Sequence, residues 1–83
     1  MREFTDAHGA RWRASVREEQ GADYKGRVFL VLESLDGAAA LELREVRWNT
    51  ERTAQRTLST MSVVELRRRL RQALGRSPQR IAS

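Results

Sequence analysis

The chain has 83 residues, no cysteine and a formal net charge of +5 at pH 7. A chain of this length forms one small domain, and the lack of cysteine excludes disulfides, thiolate metal sites and thiol nucleophiles. No apolar run approaches the roughly 20 residues of a membrane-spanning helix, and the first residues lack the apolar segment of a signal peptide. We therefore expect a cytoplasmic protein that does not enter a membrane.

The charge is divided unevenly along the chain. Residues 1–45 contain nine acidic and seven basic residues, whereas residues 46–83 contain nine arginines and only two glutamates. The local net charges are therefore −2 and +7. A gradient of this size creates a positive potential that attracts polyanions or acidic protein surfaces. The charge distribution therefore indicates a class of binding partner, but it does not indicate a catalysed reaction.

The first half of the chain has the two-residue apolar period of β-strands, interrupted by turn-forming segments. The candidate strands are residues 2–5, 10–17, 26–34 and 39–47. Aspartate and glycine favour tight turns at 6–9 and 35–37. In the last strand, alternation places Leu41 and Leu43 on one face and Val46 on the other. Two antiparallel hairpins are therefore predicted.

After the last strand the apolar period changes to that of a helix. Asn49 can cap a first helix over residues 50–60. The apolar residues Ala54, Leu58 and Met61 are spaced four and three apart, along one stripe. Threonines in the same segment are weak helix formers. The sequence therefore leaves open whether this segment is helical.

The second helix has clear start and stop signals. Ser62 and Glu65 have the spacing of a capping box. Gly75, followed by Pro78, is expected to end the helix through a left-handed residue. The predicted helix therefore spans residues 63–74. Its buried stripe is expected to comprise Val63, Leu66, Leu70, Ala73 and Leu74.

Together these elements predict an α+β fold, with a small four-stranded antiparallel sheet of two hairpins followed by one or two C-terminal helices. Residues 1–75 are expected to form the single domain. Residues 76–83 have no apolar period and are expected to be a flexible basic tail.

Residues that could carry catalysis are scarce. The one histidine, His8, lies in a predicted turn, and no set of potential ligands has the spacing of a metal site. The five glycines are scattered and form no phosphate-cradling loop. Adjacent acids such as Glu18 and Glu19 lie in a predicted loop, where they are not expected to share a buried proton. We therefore expect no enzyme activity, no metal and no cofactor.

Arginines of the second helix are the first candidate site. With the leucines facing inward, Arg67, Arg68 and Arg71 lie outward, and Arg76 continues the row. Guanidinium groups suit bidentate phosphate contacts, and a row of them gives salt-dependent binding to nucleic acid. Alternatively, these residues only solubilise the helix, because the whole chain uses 15 arginines and one lysine.

Arginines of the second strand are another candidate. Arg11, Arg13 and Arg17 share one face, where they could follow a phosphate backbone. The alternative is that Glu3, or acids of other strands such as Glu42, pair with them as ordinary surface ion pairs. We favour the ion pairs. No aromatic residue is interleaved on that face, so stacking of single-stranded bases has no support there.

Strand 26–34 is apolar on both faces, and a helical layer covers only one face of a sheet. Phe29 and Val31 lie on the second face. Their cover could be the segment 49–60, strong curvature of the sheet or a second subunit. Trp48 could similarly belong to the core or anchor an interface. Phe29, Val31 and Trp48 are therefore the candidate interface residues.

These features support two functional hypotheses. The first is a small non-enzymatic binding module whose basic C-terminal half engages nucleic acid. The second is a protein-interaction or structural subunit that docks on a larger assembly, or forms a homodimer through its apolar sheet face. The partner, either nucleic acid or a protein, is not specified further by the sequence.

Overall fold

A computed structural model describes residues 1–19 and 26–76. In these residues, four strands are followed by two helices. The elements are β1 (Arg2–Thr5), β2 (Arg11–Glu18), β3 (Val28–Ser34), β4 (Ala40–Trp48), α1 (Glu51–Thr60) and α2 (Val63–Arg76). The predicted α+β fold is confirmed, with both C-terminal helices formed.

The strands form one antiparallel sheet in the order β1-β2-β3-β4. The two predicted hairpins are thus joined, because β2 also pairs with β3. Gly9 and Gly37 have positive φ angles of 84° and 78° in the tight turns, a conformation that glycine adopts without steric cost. Asp6 orders the first turn, because its Oδ1 accepts hydrogen bonds from the amides of His8 and Ala10.

A bulge in β4 changes which side chains reach the core. Leu30 of β3 pairs with Leu43, but the neighbouring Phe29 pairs with Arg47, so three residues of β4 have no partner in register. The alternation of faces shifts at the bulge. Val46 and Trp48 consequently pack against the core on the helical side of the sheet. The predicted outward position of Val46 was wrong for this reason, and Trp48 is partly buried against the core.

The hydrophobic core lies between the sheet and the two helices. From the helices, Leu58, Leu66 and Leu70 are almost fully buried. From the sheet, the cluster includes Phe4, Trp12, Ala14, Leu30, Leu32, Leu41 and Leu43. Both helices therefore pack on the same face of the sheet, and α1 does not cover the second face. Full burial of each leucine contributes about 1.5–3 kcal/mol.

The first helix begins one residue later than predicted. Thr50 is its N-cap, and the Thr50 Oγ1 accepts a hydrogen bond of 3.2 Å from the Thr53 amide. The side chain of Asn49 instead accepts a hydrogen bond of 2.8 Å from the Gly26 amide. Met61, predicted as part of the helical stripe, is the C-cap residue and packs against the core from outside the helix.

The second helix starts where the sequence predicts. The Ser62 Oγ accepts a hydrogen bond of 3.1 Å from the Glu65 amide. In a capping box the glutamate also reaches back to the cap amide, but the Glu65 carboxylate instead contacts Arg68 and Arg69. Val63 is 37% exposed, so its predicted burial was wrong, whereas Ala73 and Leu74 are partly buried as expected.

The end of the second helix differs from the prediction. Gly75 lies inside α2 without a positive φ angle, and the helix continues to Arg76. Gly75 therefore does not end the helix. Pro78 and the remainder of the predicted flexible tail, 77–83, lie outside the described residues.

Two arginines tie the helices to β1. The Arg2 Nη1 donates to the carbonyls of Leu58 and Met61 at 3.1 and 2.7 Å, at the C-terminal end of α1. The Arg67 Nε donates to the Thr5 carbonyl at 2.7 Å. Cations near a helix C-terminus interact favourably with its dipole, so Arg2 stabilises α1 as well as its attachment.

Candidate polyanion-binding surface

The face of the sheet opposite the helices is covered by charged side chains. We call this set the outer sheet layer. It comprises Glu3, Arg11, Arg13, Arg17, Glu19, Glu33, Glu42, Arg44 and Arg47. Its arginines and glutamates number five and four, so their charges nearly cancel.

Phe29 and Val31 are buried beneath this layer, with exposures of 2% and 1%. The guanidinium carbons of Arg44 and Arg47 lie 4.7 and 5.6 Å from the centre of the Phe29 ring. An ion pair of 2.8 Å between Arg17 of β2 and Glu42 of β4 crosses the intervening strand beside Val31. Arginine stems can cover apolar surface while their charged ends remain in water. The second face of β3 is therefore covered within one chain.

Glu19 links the two arginines that stack on Phe29. Its Oε1 lies 3.1 Å from Arg44 Nη1 and 3.0 Å from Arg47 Nη1. The hydrogen bond from Arg47, aided by the charge of Arg44, lowers the pKa of Glu19 below its usual value. Arg47 also donates to the carbonyls of Arg44 and Gly26, at 2.6 and 2.7 Å, and so holds the bulge. These arginines already have anionic or carbonyl partners.

The candidate strand arginines lie in the same layer. Arg11 pairs with Glu3 at 3.1 Å. Arg13 lies in register between Glu3 and Glu33, and its Nε is buried without a hydrogen-bond partner in the described part of the chain. The cross-strand ion pairs of Arg11 and Arg17 are those that the favoured interpretation expected. A phosphate would have to compete with carboxylates at these positions.

The candidate arginines of α2 differ in whether their guanidinium groups already have hydrogen-bond or ion-pair partners. Arg67 is held by the carbonyl and hydroxyl of Thr5. Arg68 pairs with Glu65, which also holds Arg69 at 2.9 Å. Arg71 is exposed, and its guanidinium has no hydrogen bond or ion pair within residues 1–19 and 26–76. Arg76 ends α2, and its side chain is outside the described structure.

Two further arginines were missed by the sequence analysis. Arg52 and Arg56 lie one turn apart on α1, on the side opposite the buried Ala54 and Leu58. Both are exposed, and among the described residues neither guanidinium has an acidic or hydrogen-bonding partner. The apolar stripe of α1 already implied their outward direction. The run of arginines in the second helix, however, dominates the charge pattern of the sequence.

The charge is therefore divided between two layers of the fold. Residues 51–76 carry seven arginines and two glutamates, in contrast to the balanced outer sheet layer. Because α1 and α2 pack on one face of the sheet, the sides opposite their buried residues point away from the sheet together. We call this solvent-facing side of α1 and α2 the helical face. Its outward arginines are Arg52, Arg56, Arg68 and Arg71.

The described residues do not support a metal site or a membrane-spanning helix. No group of three or more histidine, cysteine, aspartate and glutamate residues in these two segments is placed to hold a metal ion. None of the helices described is long and apolar enough to cross a membrane. Comparisons with protein-family models, with curated proteins and with solved structures find no match.

Proposed function

We propose that this chain is a non-enzymatic, cytoplasmic binding module that engages nucleic acid through its helical face. The observation that supports this most strongly is the state of Arg52, Arg56 and Arg71. These three arginines are exposed and lack an acidic partner in the described part of the chain. The exposed arginines of the outer sheet layer, by contrast, are largely paired.

An unpaired arginine is better placed to bind phosphate than a paired one. It contributes its full charge to the local potential, and no existing ion pair has to break before it binds. Each phosphate contact releases condensed counterions from the nucleic acid, so the affinity falls as salt concentration rises. The helical face therefore favours polyanions, whereas the outer sheet layer is close to neutral.

A docking module for a protein partner is the second candidate. Val64 is 75% exposed and lies on the helical face beside Arg68, one turn along α2. An apolar residue among cations suits an acidic protein surface with an apolar side chain of its own. Phe29 and Val31 support this alternative less, because both are buried under charged side chains.

The proposal can be tested with two triple variants of equal charge change. The first is Arg52→Gln, Arg56→Gln and Arg71→Gln. The control is Arg11→Gln, Arg17→Gln and Arg27→Gln, three arginines that each pair with a glutamate. Glutamine is a good helix former, and surface ion pairs contribute little, so circular dichroism should find both variants folded.

Binding is measured by fluorescence anisotropy with labelled duplex DNA, single-stranded DNA and RNA across a salt series. We expect the first variant to weaken binding and to reduce the slope of log affinity against log salt by up to about three. The control variant should retain the parent slope. Absence of binding by the parent protein to all three probes at about 0.15 M salt would overturn the proposal. An equal loss in the two variants would place the contacts elsewhere.

A further inference from the structure

We infer that the nucleic acid recognised by the helical face is double-helical, and that it is bound through its phosphates without sequence preference. This inference rests on the proposed function and specifies its ligand. It depends on three observations: the lack of stacking residues on the helical face, the placement of its arginines on two helices packed on one sheet, and the chemistry at the start of α2.

Single strands are commonly held by aromatic side chains on which their bases stack. In the described residues, the helices contain no aromatic residue. Phe4, Trp12 and Phe29 are buried, and Trp48 packs against the core. The helical face therefore offers cations without a stacking platform, which favours contacts with the backbone of a nucleic acid.

The helices that carry these arginines are packed on the sheet. Arg52 and Arg56 are four residues apart on α1, which corresponds to about 6 Å along the helix axis. Buried Leu58 and Leu70 fix α1 and α2 on the same sheet. A duplex presents phosphates at fixed positions and at a higher charge density than a single strand, with a larger counterion release per contact. A surface of arginines therefore gains more from a duplex than from a single strand.

The first turn of α2 is poorly suited to recognising base edges in the major groove of a duplex. In a helix that enters the major groove, side chains of its first turns contact the base edges. Here the first turn carries Val63, Val64 and the acidic Glu65, whereas the unpaired Arg71 lies further along the helix. The two valines offer no side-chain hydrogen bond to a base edge, and the Glu65 carboxylate is already engaged by Arg68 and Arg69. The contacts are therefore expected at phosphates, which carry no sequence information.

The test is a competition between labelled probes of equal length and of about 20 nucleotides or base pairs. The probes are two DNA duplexes of unrelated sequence, one duplex RNA and one single strand without secondary structure. We expect both DNA duplexes to bind within about twofold of each other, and the preferred duplex to bind at least about fivefold tighter than the single strand. The duplex RNA probe identifies which type of double helix is preferred.

The outcomes separate this inference from the proposed function. Tighter binding of the single strand than of every duplex would overturn the inference and leave the proposed function standing. A difference of more than about tenfold between the two DNA duplexes would overturn the absence of sequence preference. Failure of all four probes to bind at about 0.15 M salt would overturn the proposed function itself. In the variant Arg52→Gln, Arg56→Gln and Arg71→Gln, the preference for duplex should be lost.

Discussion

At the scale of single residues, individual arginines of one helix have different roles in this molecule. Arg67 was predicted to contact phosphate, but it holds the Thr5 carbonyl, 62 positions away in the sequence. Arg71, only one turn further, lacks a partner in the described part of the chain. The sequence identifies both as outward arginines of one helix. Which of them is engaged depends on the packing of α2 beside β1, which a local pattern does not contain.

Asp6 is the residue that links the first turn to the core. Its Oδ2 accepts a hydrogen bond of 3.0 Å from the Trp12 indole, and its Oδ1 accepts from the amides of His8 and Ala10. Burial alone opposes ionisation of this carboxyl. The hydrogen bonds from Trp12, Ala10 and His8 outweigh this effect and lower the pKa of Asp6 below its usual value.

The lowered pKa predicts that acid destabilises the fold. A carboxyl whose pKa is lower in the folded state contributes stability above its unfolded pKa of about 3.9, and this contribution is lost as the pH falls through the folded value. We expect the variant Asp6→Asn to have a lower Tm at pH 7, because an amide cannot serve all three donors. Its Tm should also fall less between pH 5 and pH 2 than that of the parent.

Thermal denaturation followed by circular dichroism across this pH range checks the Asp6 prediction. The variant Asp36→Asn is a useful comparison, since the pKa of Asp36 is also lowered, through hydrogen bonds from the Ala38 amide and the Ser34 hydroxyl at the turn between β3 and β4. If Asp6→Asn has the parent's Tm at pH 7, the hydrogen bonds to the first turn are not important for stability.

At the scale of elements, the period of apolar residues predicted most of the fold. The four strands and the start of α2 follow directly from alternation and from the Ser62 cap. The sequence predictions fail where a tertiary contact selects between residues or conformations that are equally favoured locally. Asn49 and Thr50 are both good N-caps, and the Gly26 amide occupies the Asn49 side chain. The bulge that turns Val46 inward has no local signature, because it depends on pairing with β3.

The start of α2 gives a prediction at this scale. Ser62→Ala removes the acceptor of the Glu65 amide, and the free energy of unfolding should fall by about 1 kcal/mol. Ser59→Ala is the matched control, since Ser59 lies within α1, where alanine is the better helix former. Urea denaturation measures both. Equal stability of Ser62→Ala and the parent would mean that the cap does not contribute.

At the scale of the whole molecule, two unlike surfaces enclose one core. The apolar run in β3 correctly indicated burial on both faces, but the sequence could not show what covers the second face. That cover comes from charged residues on β2, on β4 and after β2, which converge only in the folded sheet. The helical face is similar in this respect, because Arg52 and Arg71 share a surface only when both helices pack on the sheet.

Burial of Phe29 and Val31 within one chain removes the reason for a homodimer through the sheet. We therefore expect light scattering at tens of micromolar protein to give the monomer mass of 9.6 kDa. Phe29→Glu should unfold the protein, because a carboxylate would be placed in a buried position beneath Arg44. Twice the monomer mass, together with a folded and monomeric Phe29→Glu variant, would instead support dimerisation through this face.

The division of charge between the two layers can be tested most directly by NMR. The Nε–Hε signals of individual arginines are followed while a DNA duplex is added at about 0.15 M salt. We expect the signals of Arg52, Arg56 and Arg71 to shift as the duplex binds. Those of Arg11, Arg17 and Arg44, which are paired with glutamates, should remain in place. Shifts confined to the outer sheet layer, or no shift at any arginine, would contradict the assignment of the helical face as the polyanion-binding surface.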